Sequence, residues 1–496
     1  MTEHSTDGVT RRGLLAGALA LGVAGGVTGG LAGPGWAKTG KAVKPMARPG
    51  PVSLADLLAK APGGAVSGFA LLDAKTGQVL EAQNESAVLP PASVQKAITT
   101  LYALDKLGGD HRLATRVLAT GPVAGGVLQG DLILMGGGDP TLDTDGLGDL
   151  VATLAAKGLR KVSGRFLYDA SALPSFERIA DDQPEQAGYN PGLSGLLLNF
   201  NRVNFEWTKG AGRLVMDARG EQYVVPVRVA SIAAVNREGP LFDRKDRAGI
   251  EAWTVARAAL GQAGSRWLPV RHVAPYVADV FAGLCAAQGI KLPAPQPGSA
   301  SGTQLTGRQS DELSVILHGM LKYSTNITAE TLGLLASGQG NTAASAKAMQ
   351  VWAAARLGLQ AKFVDHSGLG AASRITPLGL AQALRAGNAT ATGSALRGLM
   401  KEGDLRGEDG KALAGGGATV RAKSGTLNFV SGLAGFIEPP NGRDMIFAVH
   451  SADLPRRAAV LMADREDPPG LHGWLVRARG LQGGLIRRWA QVYGGT

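Results

Sequence analysis

A single cysteine, Cys285, stands in a chain of 496 residues, which excludes a disulfide framework and any metal site built from thiolates. It sits in the apolar stretch 277–290 without basic or histidine neighbours, the setting of an inert core thiol rather than a nucleophile. The seven histidines are dispersed, with no H-x-x-x-H pair, so neither a metal nor another cofactor is expected. Aromatic residues make up 5% and glycine contributes 72 residues, the composition of a loop-rich protein built from small aliphatic side chains. Lys and Arg outnumber Asp and Glu by 51 to 40, a formal charge of +11, yet no basic run interleaved with aromatics occurs. That pattern argues against nucleic acid and leaves anionic membranes or wall polymers as partners for the excess charge. Gly136-Gly137-Gly138 fits neither G-x-G-x-x-G nor a phosphate loop with its lysine, and reads as a tight turn.

The one long, weakly hydrophobic run is at the N-terminus. Thr10-Arg11-Arg12-Gly13-Leu14-Leu15 opens it, and it continues in Ala, Leu, Gly and Val to about Gly33. Paired arginines before a glycine-rich apolar core resemble a twin-arginine export signal, and Gly35-Trp36-Ala37 supplies the small residues of a cleavage site. Seven glycines between Gly13 and Gly30 make a poor membrane anchor. Residues 1–37 are therefore expected to be a removed signal, leaving a chain without a stable membrane span in the periplasm. The charge of +11 survives the loss of Glu3, Asp7, Arg11 and Arg12.

Beyond the Pro/Lys/Gly linker Lys38–Pro51, the pattern predicts a short helix at Leu54–Ala59 and strands at 66–73 and 78–82. Pro90-Pro91 then stops the chain before a helix over Ser93–Leu107. Short strand-like runs rich in glycine fill 113–310, and helical periodicity returns from Asp311. A strand is expected at 418–422, then a turn, strands at 429–437 and 445–449, and a closing helix near 480–492. The fold class implied is α+β: one catalytic domain from 38–112 and 311–496, interrupted by an inserted region at 113–310.

Three short motifs carry the chemistry. In Ser93-Val94-Gln95-Lys96, positions i and i+3 of a helix share a face, so a neutral lysine amine can take the serine proton. No other serine in the chain has a lysine three residues later. Ser324-Thr325-Asn326 offers a hydroxyl for proton transfer and an amide for holding a carbonyl, although alone it also fits a helix cap. Lys423-Ser424-Gly425-Thr426 offers a cation and hydroxyls for a carboxylate, with a glycine that lets a substrate backbone approach. Asp365-His366-Ser367-Gly368 gathers the residue types of a triad, but triads assemble in space, and this segment reads as a loop without catalytic duty.

In this order the three motifs resemble the penicillin-binding proteins and serine β-lactamases. The long separation of Ser93 from Ser324, Gly136–Pro140, Ala329-Glu330 and Arg421–Leu427 resemble the low-molecular-mass class C penicillin-binding proteins of peptidase family S13. That resemblance implies a transpeptidase-like fold, an antiparallel sheet flanked by helices with smaller inserted domains. It implies hydrolysis of D-Ala-D-Ala bonds, and of D-Ala-linked cross-bridges, in peptidoglycan stem peptides, with β-lactam antibiotics as covalent inhibitors. It makes Ser93 the acylated nucleophile, Lys96 its base and Ser324 the proton carrier. Asn326, Lys423, Ser424, Gly425 and Thr426 become substrate-binding, and the N–H groups of Ser93 and Thr426 the oxyanion hole. Gly403–Arg406 matches the family's Gly-Thr-Leu stretch only loosely. The alternatives are a catalytically silent peptidoglycan-binding protein, which would not be acylated, and a serine β-lactamase, which would need a carboxylate to activate the deacylating water.

Overall fold

Strands buried almost without interruption build the middle of a six-stranded antiparallel sheet whose order is 401–404, 419–427, 430–438, 445–452, 66–73, 79–83. The computed structural model describes residues 52–208, 212–404, 417–440 and 442–495. The expected signal 1–37, the linker Lys38–Pro51 and Leu405 and Arg406 lie outside the described residues. Val66–Asp73 and Met445–Ala452 pair inside the sheet and send alternate residues to opposite faces. Ala70, Leu72, Ile446 and Ala448 face the helices Lys96–Leu107, Thr342–Leu357 and Pro377–Asn388. Phe69, Leu71, Phe447 and Val449 face Leu54–Ala59 and the closing helix Leu471–Val492. Both faces are covered, so these strands read as nearly continuous apolar runs. The fold is α+β.

Every strand of the other sheets falls within residues 114–309. There the order 295–297, 166–169, 132–136, 114–119, 303–309 forms a five-stranded sheet, beside smaller sheets and the helices Thr144–Ala156 and Val273–Ala287. Cys285 is buried in this core, and burial pushes its thiol pKa up. Gly136 and Gly137 are packing positions: a Cβ would lie 2.3 Å from Gly195 O and 2.4 Å from Ala114 O respectively.

Two expected boundaries are corrected. The strand beginning at Thr419 does not end at Ala422 but runs to Leu427, because Gly425 and Thr426 pair with Gly432 and Ser431 across the ladder. The closing helix begins at Leu471 rather than Gly480. Burial of Trp474, Ala478, Leu481 and Leu485 outweighs the low helix propensity of its glycines.

The outer face is anchored by Trp489, fully buried, with its ring 5.7 Å from Phe69 and 5.9 Å from Phe447. Trp489→Ala is expected to cost about 3–5 kcal/mol of stability. A denaturant titration with an unchanged midpoint would refute this packing role.

Candidate active site

The chain stops at Pro90-Pro91 and then turns through Ala92, whose φ of +47° lies in the left-handed region that non-glycine residues rarely enter. A 3₁₀ turn, Ala92–Gln95, runs directly into the helix Lys96–Leu107. Ser93 therefore sits in that turn, one turn ahead of Lys96, and the Lys96 Nζ lies 2.9 Å from Ser93 Oγ. Two glycines clamp this backbone. A Cβ on Gly425 would lie 2.8 Å from Ser93 N, and one on Gly368 would lie 1.9 Å from Ala92 O. Neither position has room for a side chain.

Ser324 ends the helix Leu313–Tyr323 in the left-handed conformation, with φ at +60°, and Asn326 begins the helix Asn326–Ser337. This corner brings the second motif to the first: Lys96 Nζ donates to Asn326 Oδ1 at 2.7 Å. Lys423 joins from the strand Thr419–Leu427, donating to Ser324 Oγ at 3.0 Å and to Ser424 O at 2.6 Å. The structure thus joins Ser93, Lys96 and Asn326 in one hydrogen-bonded group and Lys423 and Ser324 in another, with Ser93, Asn326 and Ser324 lining one groove. Gly425 abuts Ser93, and Thr426 lines the groove above it. Ser424 is exposed and stands outside the groove lining. The edge strand Lys401–Asp404 pairs only with 419–422, so among the described residues no strand covers Lys423–Leu427 on that side.

Burial governs the electrostatics. Lys96 is fully buried, which lowers its pKa to about 7 against the opposing pull of Asp365 and Glu330. Lys423 is also held well below its ordinary value, first by burial and then by the nearby Lys96 charge. Glu330 is pushed up to about 8 by burial and by Asp365, and Asp365 is raised by burial.

The loop expected to have no catalytic duty proves to hold the lysine. Ser367 O accepts from Lys96 Nζ at 2.8 Å. Glu330 fixes that loop by accepting from the backbone N–H groups of His366, at 3.0 Å, and Ser367, at 2.8 Å. Asp365 braces it from inside, accepting from Gly368 N at 2.9 Å and Gly370 N at 2.5 Å. The His366 ring turns away to Ser345 Oγ at 2.6 Å, so no Ser-His-Asp triad forms within the segment. Glu330 was within reach of sequence reasoning, since it lies one turn beyond Asn326 on the same helix face. Asp365 and Ser367 stood out only as residue types of a triad, and nothing local marked them as supports of Lys96.

The reacting groups open onto a groove of about 530 Å³ lined by Ser93, Ser324, Asn326 and Thr426 on one side. Asp182, Gln183 and Tyr189, from the 114–309 region, and Arg374, Arg457, Arg465 and Glu466 line the remainder. Among the described residues one cluster has metal-ligating chemistry, Glu177, Asp246 and His272, and the Arg244 guanidinium already pairs with both carboxylates.

The fold and sequence have relatives. The D-alanyl-D-alanine carboxypeptidase of Actinomadura sp. is 29% identical over 431 residues, covering 79% of each chain. Carboxypeptidase DacB of Mycolicibacterium smegmatis is 27% identical, covering 80% of this chain and 79% of its own. Penicillin binding protein 4 of Haemophilus influenzae shares the fold with a TM-score of 0.66 at 21% identity, over 81% of this chain and 93% of that one. The same protein in complex with a β-lactam gives a TM-score of 0.64 at 20% identity, over the same shares. Residues 52–464 match the signature of one peptidase family across most of the chain, and on that match the chain belongs to the D-Ala-D-Ala carboxypeptidase 3 (S13) family.

Proposed function

We propose that this serine DD-peptidase acts through an acyl-enzyme on Ser93, a reading carried by the 2.9 Å approach of a buried, readily neutral Lys96 amine to the Ser93 hydroxyl. The stem peptide lies extended along the open edge of Lys423–Leu427, as an added strand. Lys96 takes the Ser93 proton as Oγ attacks the carbonyl of the penultimate D-Ala. The N–H groups of Ser93 and Thr426 receive the developing oxyanion. Ser324, hydrogen-bonded to Lys423, passes a proton to the departing D-Ala amine as the C–N bond breaks. Asn326 holds the peptide carbonyl, and Lys423, Ser424 and Thr426 recognise the terminal carboxylate, with Gly425 letting the backbone close in. Water then hydrolyses the ester. A cross-bridge ending in D-Ala presents the same bond, so endopeptidase action follows from the same site.

In this reading 38–112 and 311–496 form the catalytic domain and 113–310 an insertion, a division supported by the strands of the six-stranded sheet coming from both sides of that span. Among the described residues no helix is long and apolar enough to cross a membrane. With the twin-arginine pattern at residues 11–12, this supports export to the periplasm. A β-lactamase is the weaker alternative. The carboxylates lining the groove are Asp182 and Glu466, and both are engaged by arginines rather than poised over Ser93.

Benzylpenicillin is expected to leave one stable adduct on Ser93, detected by intact mass spectrometry with peptide mapping and absent in Ser93→Ala. A folded protein without an adduct would point to the silent wall-binding alternative, and rapid penicillin turnover to a β-lactamase. Lys96→Met is expected to slow acylation by roughly 10²–10⁴-fold. In the wild type the neutral amine is the active form, so the acylation rate should rise with pH through about 7 and then level. Asp365 is the stronger of the two carboxyl influences that favour the protonated lysine, so Asp365→Asn should move that limb to lower pH. A limb that stays put or moves upward would remove Asp365 from the electrostatics of the base.

A further inference from the structure

Residues 176–193 form a loop closed at its base by Phe176 N to Leu193 O, at 3.0 Å, and Leu193 N to Phe176 O, at 2.9 Å. Inside it the fully buried Asn190 accepts from Ile179 N and Ala180 N, at 3.0 and 2.9 Å, and donates to Ala180 O at 2.8 Å. One side of the loop faces the reaction centre. Asp182, Gln183 and Tyr189 line the groove, Tyr189 O accepts from Asn326 Nδ2 at 3.0 Å, and the Asp182 carboxylate pairs with Arg465 and Arg457 at 3.6 and 3.7 Å.

The other side rests on Arg271, which follows the strand Ala263–Pro269 and is only 2% exposed. Its guanidinium donates to three backbone carbonyls of this one loop: Glu177 at 3.2 Å, Asn190 at 2.5 Å and Glu185 at 2.6 Å. Its Nε donates to the Glu185 carboxylate at 3.3 Å, which Arg244 also holds at 2.8 Å. Glu251 fixes the start of the arginine from beneath, accepting from Arg271 N at 2.8 Å and His272 N at 2.7 Å. Burying a guanidinium is costly unless its donors are matched, and each of these bonds goes to the same loop. The planar fork presents five N–H donors from three nitrogens in fixed directions, where an ammonium has three from a single point. Arg271 is not among the groove-lining residues.

We infer that Arg271 is a positioning residue for peptide hydrolysis, holding the 176–193 loop as the groove wall that a long acyl donor must fill. The inference rests on the proposed reading of the groove as a stem-peptide site. A donor reaching only Ser93 and Thr426 does not touch this wall. Asn326 has a second anchor outside the loop, its bond from Lys96 Nζ at 2.7 Å.

The test compares the full chain with Arg271→Met and Arg271→Lys on two donors, a complete stem pentapeptide and a minimal N-acetyl-D-alanyl thioester, after thermal unfolding has shown that each variant is folded. For Arg271→Met the KM for the pentapeptide should rise roughly tenfold or more, while kcat stays within about threefold. Arg271→Lys should lose less, and kcat/KM for the thioester should stay within about threefold in both. If Arg271→Met does not fold, the ratio of losses on the two donors in Arg271→Lys decides. Equal losses on both donors, or none on either, would overturn the positioning role. A wild type that turns over neither donor and takes no penicillin on Ser93 would remove the reading beneath it.

Discussion

The rest of the site depends on one buried amine. Lys96 Nζ has three partners: Ser93 Oγ, Asn326 Oδ1 and Ser367 O. Two of these can only accept. Asn326 is oriented from its other end, because its Nδ2 donates to the Tyr189 carbonyl, which has no proton to give. A protonated Lys96 therefore satisfies all three acceptors, and a neutral one gives its two N–H groups to Asn326 and Ser367. The lone pair is then left for the one partner that has a proton to offer, the Ser93 hydroxyl. The arrangement selects which group the base serves as well as placing it nearby.

Holding an amine there requires compensation from well outside the three motifs. The field of Asp365 and Glu330 opposes the desolvation that lowers the lysine pKa. Those carboxyls are themselves raised by burial, and are kept in place by backbone N–H groups of the 365–370 loop rather than by solvent. The same loop packs Gly368 against the strained Ala92 and so fixes the turn that carries Ser93. Geometry and charge are thus set by one contact network, and a change in either displaces the other.

This explains how much was legible from the sequence. Ser93 and Lys96 could be paired because three positions on a helix determine their proximity, and the proline stop marks where that helix begins. Lys423–Thr426 could be placed by order along the chain, but not as strand: Gly425 reads locally as a turn, and only the ladder to Ser431 and Gly432 makes it extended. The closing helix was cut short for a similar reason. Gly473 and Gly480 weaken the helical propensity at its start, and it is the packing of Trp474 and Ala478 with Phe429 that makes 471–479 helical. The support from Asp365, Ser367 and Arg271 was not legible, because each acts through backbone groups brought near by the fold.

The same geometry bears on why an acyl-enzyme of this kind would turn over a peptide yet be trapped by a β-lactam. In the proposed peptide cleavage the leaving D-Ala would diffuse out, and its vacated position beside Ser324 and Lys96 would become available to water. In β-lactam opening the leaving nitrogen would stay tethered to the acyl group through the two other carbons of the opened four-membered ring and occupy that position. Deacylation then needs a water activated from another direction by a separate carboxylate. The carboxyls nearest Lys96, Glu330 and Asp365, are buried and bonded to the backbone beneath the lysine, while those of the groove are paired with arginines. In the proposed mechanism the leaving amine and the hydrolytic water share one approach to the acyl group, and a leaving group that does not depart closes it.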